Sequence, residues 1–245
     1  MEIEEYRKMD AEEDRMWWYR ATRKSILHYF LKFQPESSCS VLDSGCGTGG
    51  FLKMISRVMQ NGNSFGIELD NWAAEQAHLK SGYPVTRGSV HQLPFADMVF
   101  STIISTDVLY HRDVDDIKAT EESYRCLSNG GIYIVQVPAY QWMSSAHDKK
   151  VFGERRYTRS EVEDLLERAG FNIVISTYRN TFLFPLMVMQ RKLLKADNDD
   201  SDVKSFPIII EWVFNIIMAL EQVVLNVGLT FPFGGSVVVV GVKND

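Results

Sequence analysis

Residues 40–50 read Ser-Val-Leu-Asp-Ser-Gly-Cys-Gly-Thr-Gly-Gly, and no other stretch restricts the chain so tightly. Val41 and Leu42 form the end of a short buried strand. The glycines that follow permit positive φ and a close approach of main chain to ligand. Phe51, Leu52, Ile55 and Val58 then recur at helical spacing, so the stretch predicts strand, tight turn, helix. A helix beginning there points unpaired N–H groups at whatever lies over the turn.

Gly45, Gly47 and Gly50 satisfy the dinucleotide pattern G-x-G-x-x-G, with an acidic residue, Glu68, at a suitable distance. The glycines alone do not separate a nicotinamide enzyme from other nucleotide binders. Asp43 does more. A carboxylate two residues before the first glycine sits where a pyrophosphate would have to lie, and like charge at low effective dielectric is costly. A cationic ligand is favoured there, and S-adenosylmethionine carries a sulfonium and an ammonium group. The expectation is a negatively lined pocket above the first strand, open to such a cation.

Leu42-Asp43-Ser44-Gly45-Cys46-Gly47-Thr48-Gly49 resembles motif I of the class I S-adenosylmethionine-dependent methyltransferases, in particular the type 11 and type 12 small-molecule enzymes. The resemblance covers roughly Trp17 to Ala169 plus the final strand. It implies a three-layer α/β sandwich around a seven-stranded, mostly parallel sheet with an antiparallel last strand. It also implies S-adenosylmethionine as cofactor, S-adenosylhomocysteine as product, and contacts from the turn at Asp43, Gly45, Cys46, Gly47 and Gly49. Glu68, with Leu69 beside it, stands where the family accepts hydrogen bonds from both ribose hydroxyls. Gly88-Ser89-Val90 replaces the usual Gly-Asp-Ala, so adenine would rest on the Ser89 oxygen and the Val90 N–H. Ser101 replaces the aspartate that usually opens the fourth strand.

Residues 1–33 read as helix ahead of the first strand. Trp17-Trp18-Tyr19-Arg20 resembles an opening found in related methyltransferases, where Tyr19, Arg20 or Arg23 would reach the methionine carboxylate; an arginine fork suits a carboxylate. Thr106 to His111 occupies the segment that, in the family, lies across the cleft and reaches towards sulfonium and substrate, which places Asp107 and Tyr110 there. His111 is a candidate general base because an ordinary imidazole titrates near neutrality. Residues 139–156 follow the carboxyl end of a strand and read as a substrate loop. It holds Tyr140, Trp142 and His147, a second candidate base beside Asp148, and leads into Arg156 and Tyr157. A similar His-Asp and Arg-Arg-Tyr-Thr pattern occurs in methyltransferases of sugar and lipid-linked glycan pathways.

Ser128-Asn129-Gly130-Gly131 reads as the stop after a helix over 117–127. Thr158 and Glu161 form a capping box. Ser236 to Val242 is the final strand. The chain therefore reads as one domain over 1–245: a helical cap (1–37), a Rossmann-like core (38–177), a helical insert (178–235) and the last strand (236–245). The insert carries an acidic linker, 197–202, and an apolar run from Phe206 to Val227. Glu211, Asn215, Glu221, Gln222 and Asn226 interrupt that run and argue against a spanning helix. Its apolar surface leaves a homodimer, a lid over an apolar acceptor, or peripheral membrane contact open.

A net charge of −6 with no basic stripe argues against nucleic acid. Three cysteines (Cys39, Cys46, Cys126) show no metal or disulfide spacing, which suits a reducing cytoplasm. The reading is methyl transfer to an oxygen or nitrogen of a small molecule, with no metal. Its rivals are a non-catalytic scaffold of the same fold and, on the glycine pattern, a nicotinamide oxidoreductase.

Overall fold

The structure, a computed structural model, describes residues 1–34, 39–59, 63–192 and 206–244; the acidic linker at 197–202 lies outside them. In chain order the elements are α1 (Ile3–Glu12), α2 (Trp17–Phe33), β1 (Ser40–Ser44), α3 (Gly50–Ser56), β2 (Asn63–Glu68), α4 (Asn71–Ser81), β3 (Val85–Arg87), β4 (Phe100–Thr106), α5 (Asp116–Cys126), β5 (Leu127–Pro138), α6 (Ala146–Lys150), α7 (Arg159–Arg168), β6 (Phe171–Arg179), α8 (Phe184–Lys192), α9 (Ile208–Asn226) and β7 (Ser236–Lys243).

The strands form one sheet in the order β3-β2-β1-β4-β5-β7-β6. β1 pairs parallel with β2 and β4, and β4 with β5, whereas β7 runs antiparallel between β5 and β6. β7, in the interior of the sheet and buried on both faces, carries an unbroken run of four valines, Val237 to Val240. Val238 and Val240 point to one side with Val41, Ile104 and Ile134, where Ile26, Tyr29 and Phe30 of α2 and Phe51 and Ile55 of α3 cover them. Val237 and Val239 point to the other with Leu42 and Ile103, under α5 and α7. That is the three-layer sandwich expected.

Local signals place several boundaries. Asp70 caps α4 by accepting the Ala73 N–H (2.9 Å), and Thr158 with Glu161 closes both halves of the capping box on α7. Ser101 exchanges hydrogen bonds with the Ser40 N–H and C=O (3.1 Å each), stitching β4 to the start of β1.

Three expectations need correction. Residues 1–33 are two helices, because Met16 is extended (ψ 129°) and α2 starts anew at Trp17. Val58 lies past α3 and is exposed. Residues 128–131 belong to β5: Leu127 pairs with Phe100, a register break follows, and Ile132 resumes opposite Thr102, with Gly130 at φ +72° in the irregularity.

α8 and α9 lie in the insert. The Trp17–Ala21 face of α2 packs against Leu183 and Met218. Glu211 accepts the first N–H of α2, at Trp17 (2.7 Å), so a residue far along the chain caps that helix. Glu221 is fully buried and accepts the N–H groups of Asn180 (2.7 Å) and Phe182 (3.1 Å). Its charge also faces Arg179, whose guanidinium is buried and donates to the Ala21 carbonyl (3.2 Å).

Candidate active site

The turn after β1 is held from behind. Gly45 and Cys46 both donate to the Ile67 carbonyl at the end of β2 (2.9 and 3.0 Å). Gly45 (φ +83°) and Gly49 (φ +85°) take left-handed conformations, and a Cβ on Gly45 would run into Val108. Gly49 caps α3 and lies against Ala77 of α4.

Two carboxylates line this turn. Glu68 Oε2 accepts the Gly47 N–H (2.9 Å), while Oε1 accepts the N–H groups of Leu69 (2.8 Å) and Asp70 (3.1 Å). Its orientation is therefore set by main chain. Asp43 is buried at the end of β1, and burial, reinforced by the charges of Glu68 and Glu13, pushes its carboxyl up to about 7. Such a site gains by taking in a cation and loses by taking in a phosphate.

The carboxylates stand together at the turn, but the space above them is not open to a cation as expected, because α1 lies over it. The Tyr6 hydroxyl donates to Glu68 Oε1 at 2.8 Å. Burial and the Glu68 charge raise the phenol well above its ordinary value and keep it a neutral donor. Met9 packs over the turn, its methyl 2.8 Å from where a Cβ on Gly47 would stand. Just beyond α1, Glu13 accepts the Thr48 hydroxyl (2.9 Å), pairs with Arg23 (3.1 Å) beside Gly50 at the start of α3, and pairs with Lys80 of α4. A phenol hydroxyl, a thioether and a carboxylate thus stand along the glycine turn.

Across the cleft, Asp107 takes a left-handed conformation (φ +54°), its N–H donating to the Gln136 carbonyl (2.8 Å) and its Oδ2 accepting the Gln136 amide (3.2 Å). Burial raises its carboxyl to about 7. Tyr19 stands among Glu13, Asp107 and Glu5, and burial with those charges raises its phenol. Tyr110 is buried nearby, within electrostatic reach of Asp107, Asp148 and Tyr19.

The remaining expected residues divide. Arg156 clasps Asp148 through Nη2 (2.7 Å) and also donates to the Ala139 carbonyl (3.3 Å), so the loop carries its own ion pair. Tyr140 stacks on Tyr178 (5.2 Å) and Trp142 (5.7 Å), with Phe184 tilted against it. His111 is half-buried beside Tyr110, and desolvation lowers its imidazole to about 4, far from a base at neutrality. His147 Nδ1 lies 3.8 Å from Glu5 Oε2. Ser89 turns its hydroxyl to the His91 N–H (3.2 Å), Val90 packs on the core, and Leu69 is exposed.

Two placements run against expectation. Tyr157 faces inward, its hydroxyl donating to Asp116 (2.7 Å), because its apolar ring belongs to the core under α5. Arg20 lies in a surface groove between α2 and α3, while Arg23, three residues on, turns inward to Glu13 at Gly50. Tyr6, Met9, Glu13 and Gln136 are the site residues that sequence reasoning missed. A tyrosine and a methionine three apart on a short helix look like ordinary packing, and only the position of Glu68 gives Tyr6 its meaning. Among the described residues, no cluster of metal-ligating side chains occurs.

A methyltransferase-domain family model matches residues 42–135. Over 183 residues the chain is 30% identical to a methyltransferase-named protein of Encephalitozoon cuniculi, covering 74% of this chain and 77% of that one. It is 28% identical over 168 residues to a protein of Mycolicibacterium smegmatis named for S-adenosylmethionine-dependent methyl transfer, covering 66% of this chain and 62% of that one. It is 27% identical over 163 residues to the sterol 24-C-methyltransferase of Candida albicans, covering 58% and 42%. The chain thus spans less than two thirds of the length of these last two relatives. A solved Thermotoga maritima structure described as an S-adenosylmethionine-dependent methyltransferase shares the fold, with a TM-score of 0.59 at 19% identity over 99% of this chain and 96% of that one.

Proposed function

The chain belongs to the class I S-adenosylmethionine-dependent methyltransferases, and from that membership we propose that it transfers a methyl group to an oxygen or nitrogen nucleophile of a small molecule. The observation that carries the proposal is the pair of carboxylates, Asp43 and Glu68, set around the Gly45–Gly49 turn. Glu68 already accepts a hydroxyl, that of Tyr6, next to the Gly47 N–H, which is the hydrogen-bonding capacity a ribose requires. Asp43 is a buried acid raised to about 7 by burial and by the charges of Glu68 and Glu13, so a cation placed beside it would favour its ionised form. These residues fit the family's cofactor, which when bound supplies an electrophilic methyl on a sulfonium.

Asp43 would attract the cationic part of that ligand and Glu68 its hydroxyls. Arg23, now on Glu13 beside Gly50, is placed to bind a carboxylate. Asp107, Tyr19 and Tyr110 would form the acceptor side, and holding two reactants at near-attack distance supplies much of the rate in such a reaction. Asp107, poised near neutrality, is better suited to take a proton from an acceptor hydroxyl than His111; His147, across from Glu5, is the remaining candidate base. The aromatic stack of Tyr140, Tyr178 and Phe184 favours an acceptor with an apolar part, in keeping with the sterol enzyme among the relatives.

Calorimetry tests the proposal on the wild type and on Tyr6→Phe. S-adenosylmethionine or S-adenosylhomocysteine should bind and NADH should not. Failure of both proteins to bind either nucleoside, or binding of NADH, overturns it.

A further inference from the structure

We propose that the outer face of the α9–α2–α3 layer docks on an anionic lipid bilayer. α9 is long and apolar enough, by length and composition, to cross a membrane. Its two carboxylates, however, are turned into the protein, Glu211 onto Trp17 and Phe206 (3.0 Å) and Glu221 onto Asn180 and Phe182. These bonds hold the helix along the body, and a spanning pose would carry both charges into hydrocarbon. What α9 turns outward is aliphatic and aromatic: Ile208 is 84% exposed, Ile209 72%, Trp212 65% and Val223 59%, with Leu220 beside them. The arrangement inverts an ordinary surface helix, which buries its apolar stripe.

Charge on the same surface identifies the occupant. α2 packs between α9 and α3. Its outward side carries Arg20, Lys24 and Leu31, opposite the core residues Ile26, Tyr29 and Phe30. The groove between α2 and α3, about 350 Å³, is lined by Arg20, Arg23, Lys24, Lys53 and Arg57 against a single acid, Asp14. Arg23 and Lys53 pair with Glu13 and Asp14. Among the described residues, Arg20, Lys24 and Arg57 have no ion-pair partner. In a chain of net charge −6, unpaired cations beside an apolar helix suit a headgroup layer over acyl chains, since apolar burial and attraction to anionic lipid act together in interfacial binding. A second copy would cover the apolar strip but leave these cations unanswered.

The test is co-sedimentation of the full chain with vesicles of phosphatidylcholine alone and of phosphatidylcholine with phosphatidylglycerol. The chain should sediment with the anionic vesicles more than tenfold more strongly than with the neutral ones, and added salt should erode the difference. Lys24→Glu with Arg57→Glu should remove the anionic preference. Trp212→Ala with Leu220→Asp, both at exposed positions, should abolish sedimentation while circular dichroism stays unchanged. Absence of wild-type binding, or binding indifferent to both double variants, overturns the proposal. So does a wild-type dimer in gel filtration that Trp212→Ala with Leu220→Asp dissolves and that vesicles do not displace, since a second copy would then own the face.

Discussion

Replacing Tyr6 by phenylalanine should tighten S-adenosylmethionine binding. The substitution keeps the buried ring and removes one hydroxyl, which donates to Glu68 Oε1 at 2.8 Å. A hydrogen bond to an ionised partner contributes about 1.5–3 kcal/mol. Glu68 loses no essential support, since three main-chain N–H groups still hold it. That loss therefore falls on the state in which α1 lies along the turn, and it moves the balance between that state and a binding-competent one by roughly 10- to 150-fold. Apparent affinity should rise by up to that factor, read by calorimetry on wild type and variant in one buffer. The cofactor-free variant should melt earlier by the same free energy. Hydrogen exchange over residues 3–12 should quicken when the cofactor is added to the wild type. Unchanged or weaker binding by Tyr6→Phe would refute the reasoning, because Tyr6 would then be a neutral neighbour of the ligand or a contact to it rather than its competitor.

Three other outcomes follow. Asp43→Asn should abolish cofactor binding yet stabilise the free protein at alkaline pH: with a folded value of about 7 against 3.8 unfolded, the native state binds the extra proton, so wild-type stability falls as pH rises through that window and the variant escapes the loss; thermal melts at several pH values check it. For the same reason, and because Asp107 also sits at about 7, cofactor affinity should weaken as pH drops below neutrality, with proton release on binding seen as a buffer-dependent calorimetric heat. Glu221→Ala should cost about 3–5 kcal/mol in a denaturant titration, because it leaves the Arg179 guanidinium buried without its counter-charge.

Much of this was legible in the residues, and the exceptions have a common cause. The glycine turn, Asp43, Glu68, the caps at Asp70 and Thr158 and the last strand are all encoded within a few neighbouring residues, and local chemistry decides them. What escaped is decided by partners distant in sequence. Tyr6 gains its meaning from Glu68, and the start of α2 from Glu211. The glycines at 130 and 131 look like a helix stop until Phe100 pairs with Leu127 and draws them into β5. Glu211 and Glu221, read along the chain, interrupt an apolar helix; in the fold they are the residues that pin it. Arg20 and Arg23 are equivalent by composition, and only the rotation of α2 sends one to the surface and the other to Gly50.

The position of β7 also bears on how the molecule is made. Its neighbours on either side, β5 and β6, are synthesised well before it, and the whole insert is threaded in between. Until the segment at 236–243 arrives, those two strands face each other across a gap one strand wide, with their hydrogen-bonding edges bare. Long-range closure of this kind is slow. A nascent chain stalled short of Ser236 should therefore be the species most exposed to aggregation and most dependent on chaperones.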